Sequence, residues 1–170
     1  MSVNTWYRCI TPALLEQLVE EARHDPDAPA NYLHPENEGE DYERPEPGLW
    51  TARNWYGLHS LLTFGKWAEQ PLLGEAIAGG TPIGWDYCYA DSPVRYFTAT
   101  QVRDIAPVLQ AVQEDALRDS CDPVALNAAD VPPGGWQEGD FVYLWETYSN
   151  IRDFFRTAQE QGYAVLVYLC

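Results

Sequence analysis

His59 is the residue in this 170-residue chain whose type and setting most suggest chemistry. Imidazole titrates near neutral pH, so it can serve as a general base or contact a ligand. Its neighbours one helical turn away are Trp55 and Thr63, and no carboxylate lies within that turn to orient it. A pocket there would draw on Trp55 as a stacking surface and on Arg95 as a cation for an anionic group. The candidate ligand-binding residues are therefore Trp55, His59 and Arg95. Each also has a plainer reading. His59 would be hydrogen-bonded to a backbone carbonyl in the core, Trp55 would be core packing, and Arg95 would pair with Asp86 or Asp91.

The other reactive residue types do not assemble. Ser60 follows His59 directly, and adjacent helical residues point in different directions, so they form no dyad. Cysteines stand at 9, 88, 121 and 170 without a CxxC or CxxH pair, which excludes the usual zinc and redox spacings. Cys88 has no base nearby in sequence, and exposure of a terminal Cys170 would not by itself activate a thiol. Reduced, mostly buried thiols are expected. His24 and His34 lie among Asp25, Asp27, Glu36 and Glu38, but neither HxxxH nor a calcium-loop pattern occurs. Gly79-Gly80-Thr81-Pro82-Ile83-Gly84 closes a helix and lacks the lysine of a phosphate loop, so it reads as turn chemistry. No catalytic residue, metal site or cofactor is assigned, and an enzyme is the less favoured expectation.

These residues need a scaffold. Apolar residues make up 46% of the chain and aromatics 14%, enough for one sizeable core. The 26 acidic and 10 basic side chains give a net charge of −16, which disfavours nucleic acid and anionic membrane. No stretch approaches the roughly 18 apolar residues of a membrane span, and residues 1–10 do not resemble a signal peptide. A cytoplasmic location is expected.

A strand is expected over Val3–Ile10. A Thr11-Pro12 start then opens a helix whose Leu14, Leu15, Leu18 and Val19 face inward. Residues 24–48, with five prolines and eight acids against Arg44, read as a long solvated loop. Residues 1–50 carry half of the whole net charge. Trp50 to Thr63 has helical spacing, with Gly65 a plausible stop. Pro71 to Ala78 makes a short helix with a left-handed exit at Gly79-Gly80. Strands are expected at Tyr87–Tyr89 and Val94–Phe97. Thr98 and Gln101 form a capping box for the next helix, which Pro107 should kink or split. A short helix follows Asp122-Pro123, then a loop over 130–139. Asp140 would cap a last helix ended by Gly162. The near-continuous apolar run to Leu169 suggests a strand covered on both faces. The order of elements implies an α+β fold, a single helix-rich domain over 1–170 around a small mixed β-sheet.

Several strings then fall into a familiar order. Trp55-Tyr56-Gly57-Leu58-His59-Ser60-Leu61-Leu62-Thr63 resembles a W-x-x-L-H-x-L-L-T helix, and Pro71-Leu72 with Ala76 to Gly84 resembles the P-L-x-x-A-I-x-G-G-x-P-[LI]-G that follows it. Arg95-Tyr96-Phe97-Thr98 resembles an R-Y-L-T step. Tyr143-Leu144, Phe154-Phe155, Ala158, Gly162 and Val165 to Tyr168 complete the pattern. Together they resemble the YfbM-like family of small bacterial proteins, a domain of unknown function. Val131-Pro132-Pro133 departs from the family's Tyr-Pro, and segment 24–48 is longer and more acidic than usual. The resemblance implies a cytoplasmic α+β domain and transfers no activity.

The charge favours a non-enzymatic interaction protein of the immunity or antitoxin kind, binding a basic protein partner such as a toxin. Glu36, Glu38, Glu40, Asp41 and Glu43 are the expected contact. The alternative is a small-molecule-binding protein or hydrolase-like enzyme with a pocket near His59.

Overall fold

Successive residues of a strand point to opposite faces, so an uninterrupted apolar strand requires packing on both sides. The C-terminal strand meets that requirement. In the computed structural model, which describes residues 4–33, 46–64, 67–84 and 93–169, β1 (Thr5–Ile10), β2 (Gly48–Thr51), β3 (Thr81–Ile83), β4 (Val94–Phe97) and β5 (Ala164–Leu169) form one sheet. Their order is β2-β1-β5-β4-β3, with β5 in the middle. The helices are α1 (Pro12–Glu21), α2 (Ala28–Leu33), α3 (Trp55–Thr63), α4 (Pro71–Ala78), α5 (Ala99–Ala111), α6 (Glu114–Arg118), α7 (Pro123–Ala128) and α8 (Phe141–Gln161). The fold is α+β.

Val165 and Val167 join Tyr7, Cys9 and Phe97 on one sheet face, under the larger helical layer that includes α3, α4, α5 and α8. Ala164, Leu166 and Tyr168 join Ile10, Ile83 and Val94 on the other, covered by Leu15 and Leu18 of α1 and Leu33 of α2. Every ladder among the described residues is antiparallel, where a mixed sheet was expected. The connections explain this. Phe97 pairs with Val165, so α5 leaves from the end of the sheet at which α8 arrives, and β5 runs back along β4.

The remaining differences from the sequence reading are local. Residues 24–48 are not loop throughout: Ala28–Leu33 is helical, with Pro29 in its first turn where a missing N–H costs nothing. Trp50 belongs to β2, opposite Trp6, and α3 begins only at Trp55. Thr81-Pro82-Ile83, read as turn, is the edge strand β3. The five-residue α6 carries no signal long enough for a sequence reading to separate it from loop. Helix α5 is not split at Pro107. That residue lies on the exposed side, so the Arg103 carbonyl it leaves unpaired is on the solvent side of the helix. Asp140 does not cap α8; its Oδ2 accepts instead from the Gln137 amide at 2.8 Å. The Thr98–Gln101 capping box is present as expected, and α8 ends at a left-handed Gly162. The expected stop at Gly65 and strand at Tyr87–Tyr89 lie outside the described residues.

Two phenols tie the layers together. Tyr7 on β1 donates to the Ile77 carbonyl of α4 at 2.8 Å, and Tyr148 on α8 donates to the Leu109 carbonyl of α5 at 2.5 Å. Burial raises both phenol pKa values far above the ordinary range, so neither ionises. Helix α3 closes on Trp136 through Gly57, where a Cβ would fall on the indole ring. That ring has little freedom to yield. Its Nε1–H donates to the Val131 carbonyl at 2.8 Å, and the Asn127 amide brackets its backbone with two bonds of 2.8 Å.

Gly57→Ala is therefore expected to overpack this contact and destabilise the protein by about 1–3 kcal/mol, and Tyr148→Phe to cost about 1–2 kcal/mol through an orphaned carbonyl. Val124→Ala, at a largely exposed position, should change stability by less than about 0.5 kcal/mol. Urea unfolding of the three variants measures this ranking.

Candidate functional site

Two helices and a strand converge on a cavity of ≈ 450 Å³ whose wall includes His59, Thr63, Glu75, Gly79, Gly80 and Arg95. His59 comes from α3. The apolar spacing of that helix buries Trp55, Leu58 and Leu62, which leaves His59 half-buried at the flank of the buried stripe. Arg95 comes from β4, directly opposite Val167 of β5. Cross-strand partners share a face, so Arg95 points to the side of the larger helical layer, two residues before the buried Phe97. Glu75 lies on α4, exposed, next to the buried Ala76 and Ile77.

The glycine pair positions the two charges. Gly79 follows the last turn of α4, and Gly80, the second glycine of the expected exit, has φ of 98°. A side chain at Gly80 would be strained by that φ and would also lie 2.9 Å from the Tyr96 carbonyl oxygen. With only hydrogen there, the backbone passes close to the strand and reaches both charged side chains. The Gly80 N–H donates to Glu75 Oε2 at 3.4 Å, and the Gly80 carbonyl accepts from Arg95 Nη1 at 3.1 Å. The ion pairs among the described residues involve Arg23, His24, Arg118, Arg152 and Arg156 as cations; Glu75 and Arg95 belong to none of them.

Among the described residues, side-chain hydrogen bonding at His59 involves its backbone carbonyl, which accepts from Thr63 Oγ1 at 2.7 Å, and not its imidazole. The imidazole packs edge-on to the Trp55 indole, with centroids 6.4 Å apart. Burial holds its pKa below the ordinary 6.5, and the Glu75 carboxylate opposes that shift. His59 is therefore neutral at pH 7, with one nitrogen a donor and the other an acceptor.

The structure thus brings His59 and Arg95 to one cavity and seats Trp55 behind the histidine, stacked on Tyr56 at 3.8 Å between centroids. Glu75 was missed. The available signal was the short link between α3 and α4, since short helix connections place consecutive helices side by side. Asp86 and Asp91, the expected carboxylate partners of Arg95, lie outside the described residues. So do Glu36, Glu38, Glu40, Asp41 and Glu43, as well as His34, Cys88 and Cys170.

Ser60 borders a different cavity, with Leu61 and Phe64, as the divergence of adjacent helical residues requires. A third hollow, lined by Arg118, Cys121, Asp122 and Phe141, carries little reactivity. Arg118 is paired with Glu114 at 2.5 Å and lies 4.3 Å from the Phe141 ring centroid. Burial and the carboxylates of Asp122 and Asp140 push the Cys121 thiol up. His24, in the turn after α1, faces Glu20 of that helix at 3.8 Å. Among the described residues no group of three or more His, Cys, Asp or Glu side chains is placed to hold a metal ion, and no helix is long and apolar enough to cross a membrane.

The His59 environment has a pH consequence. A histidine with a depressed folded-state pKa takes up its proton more readily when unfolded. Its contribution to stability is present above pH 6.5 and is lost as pH falls from there towards the folded-state pKa. His59→Gln should flatten the part of the stability profile that lies just below pH 6.5, read from urea midpoints. Glu75→Gln should lower the His59 pKa further, because it removes the charge that raises it, and an NMR titration of the imidazole measures this.

The comparisons with known proteins agree with this architecture. A structure described as a protein of unknown function, YfbM from Escherichia coli, matches with a TM-score of 0.71 over 100% of both chains at 18% identity, a likeness that speaks for the fold alone. No curated protein matches the chain. The profile of the family described as a domain of unknown function (DUF1877) matches residues 1–168. With nearly its whole length matched, the chain belongs to the DUF1877 family.

Proposed function

We propose that this protein binds a small polar molecule in the cavity between α3, α4 and β4. The observation that carries this reading is the convergence of a neutral imidazole, a carboxylate and a guanidinium on one ≈ 450 Å³ hollow. The size falls within the range of small-ligand pockets, and convergent polar groups distinguish such pockets from packing gaps. Binding is the simpler role. Among the described residues the His59 imidazole is hydrogen-bonded neither to a carboxylate that would orient it nor to a hydroxyl or thiol that it would activate, so the arrangement offers recognition groups without an activated nucleophile. A broad set of small carboxylates, phosphates, amines and polar neutral compounds, screened by NMR against the full chain, tests the reading. Specific shifts of the His59 imidazole signals, abolished in Arg95→Gln, support it. If no compound moves those signals at millimolar concentration, the cavity is not a binding site.

A second reading, recognition of a basic protein partner, is favoured by the net charge of −16. Such a charge steers cationic partners and speeds their encounter. Glu36, Glu38, Glu40, Asp41 and Glu43 are the contact it proposes. Replacing all five by Gln should slow association with a basic partner and weaken its salt dependence. Association unchanged in rate and in salt response would remove that contact.

A further inference from the structure

The proposed site holds two opposite charges that do not meet. Glu75 and Arg95 both line the cavity, and both are anchored to the backbone of Gly80, one on its N–H and the other on its carbonyl. Neither forms an ion pair among the described residues. A carboxylate has about four lone-pair sites and a guanidinium five N–H donors, so a single bond to Gly80 leaves most of this capacity open.

That separation constrains what fits. A simple anion seated on Arg95 would meet the repulsion of Glu75, and a simple cation on Glu75 would meet that of Arg95. Either would set a like charge beside the ligand and leave the opposite charge of the cavity unmatched. A molecule carrying both charges satisfies both walls. We infer that the ligand of this cavity is amphoteric, with a carboxylate or similar anion on Arg95 and a protonated amine on Glu75, as in a small amino acid. This rests on the cavity being a binding site and narrows what the site takes. A neutral His59 adds a donor and an acceptor to the wall without disturbing the charge balance. The backbone of Gly80 fits the same purpose, since its N–H holds one charged head and its carbonyl the other.

The test uses the full chain with matched probes: glycine, β-alanine and 4-aminobutyrate as amphoteric compounds, butyrate and butylamine as their singly charged counterparts. Calorimetry and the His59 NMR signals give the affinities. At least one amino acid is expected to bind about tenfold or more tightly than either counterpart. Glu75→Gln keeps an oxygen for the Gly80 N–H but removes the charge, and should erase the advantage over butyrate. Arg95→Gln should erase the advantage over butylamine. If the Arg95 variant does not fold, judged by its thermal midpoint, the Glu75 variant decides alone. A counterpart that binds as tightly as the best amino acid, or a preference that survives Glu75→Gln, overturns the inference. Should butyrate or butylamine shift the His59 signals while the amino acids do not, the inference fails and the binding reading stands. If neither these probes nor the wider compound set shift them, both fail.

Discussion

Burial of β5 on both faces is the constraint from which the architecture follows. Ala164, Val165, Leu166, Val167 and Tyr168 are all buried, at the centre of the sheet. A fully buried aliphatic side chain contributes about 1.5–3 kcal/mol relative to an exposed one. A strand that is apolar on both sides is stable only if helices cover both sides. Leu15, Leu18 and Leu33 close one face, and the layer built on α3, α4, α5 and α8 closes the other. Pairing β5 with β1 also joins the two ends of the described chain, so the intervening helices are laid over the sheet between two fixed points.

The cavity is a consequence of this layering at its margin. The larger helical layer is filled where α5 and α8 cross β5, through Leu109, Tyr148 and Phe155 among others. Towards the β3 edge the cover passes to the shorter α3 and α4. There the sheet presents Arg95 where the centre presents valine. The gap is polar because α4 ends at two glycines that bring backbone, and not side chains, against the strand. Polar backbone groups in such a place require partners, and Glu75 and Arg95 supply them. The same two side chains therefore satisfy the turn and line the hollow.

Much of the scaffold was legible in the residues. Thr98 with Gln101, Asp122 before Pro123, the three- and four-residue spacing of α8 and the uninterrupted apolar run of β5 are local signals, and each encodes its element in a few neighbouring residues. The misread places are those where tertiary pairing outweighs local pattern. Trp50 has helical spacing to Leu58 and Leu61, yet it pairs with Trp6 because β1 offers an open edge. Thr81-Pro82-Ile83 has the composition of a turn, yet it extends along β4, with the proline tolerated because β3 is an edge strand. Asp140 has the type of a capping residue, but the Gln137 amide is nearer to hand. The acids stand on the helices as well as in the acidic segment, and one of them, Glu75, faces the cavity.

By itself the sequence determined the class of the fold, the helical and strand character of its longest elements, and the family. These depend on periodicity and capping, which act over a few residues. Only the tertiary structure decided that His59, Glu75 and Arg95 share one cavity and that the two charges are each bonded to the backbone of Gly80. Those positions are 16 and 20 residues apart along the chain. They meet because a helix pair and a strand pair pack on one face of the sheet, a relation set by burial and by the close approach that glycine permits.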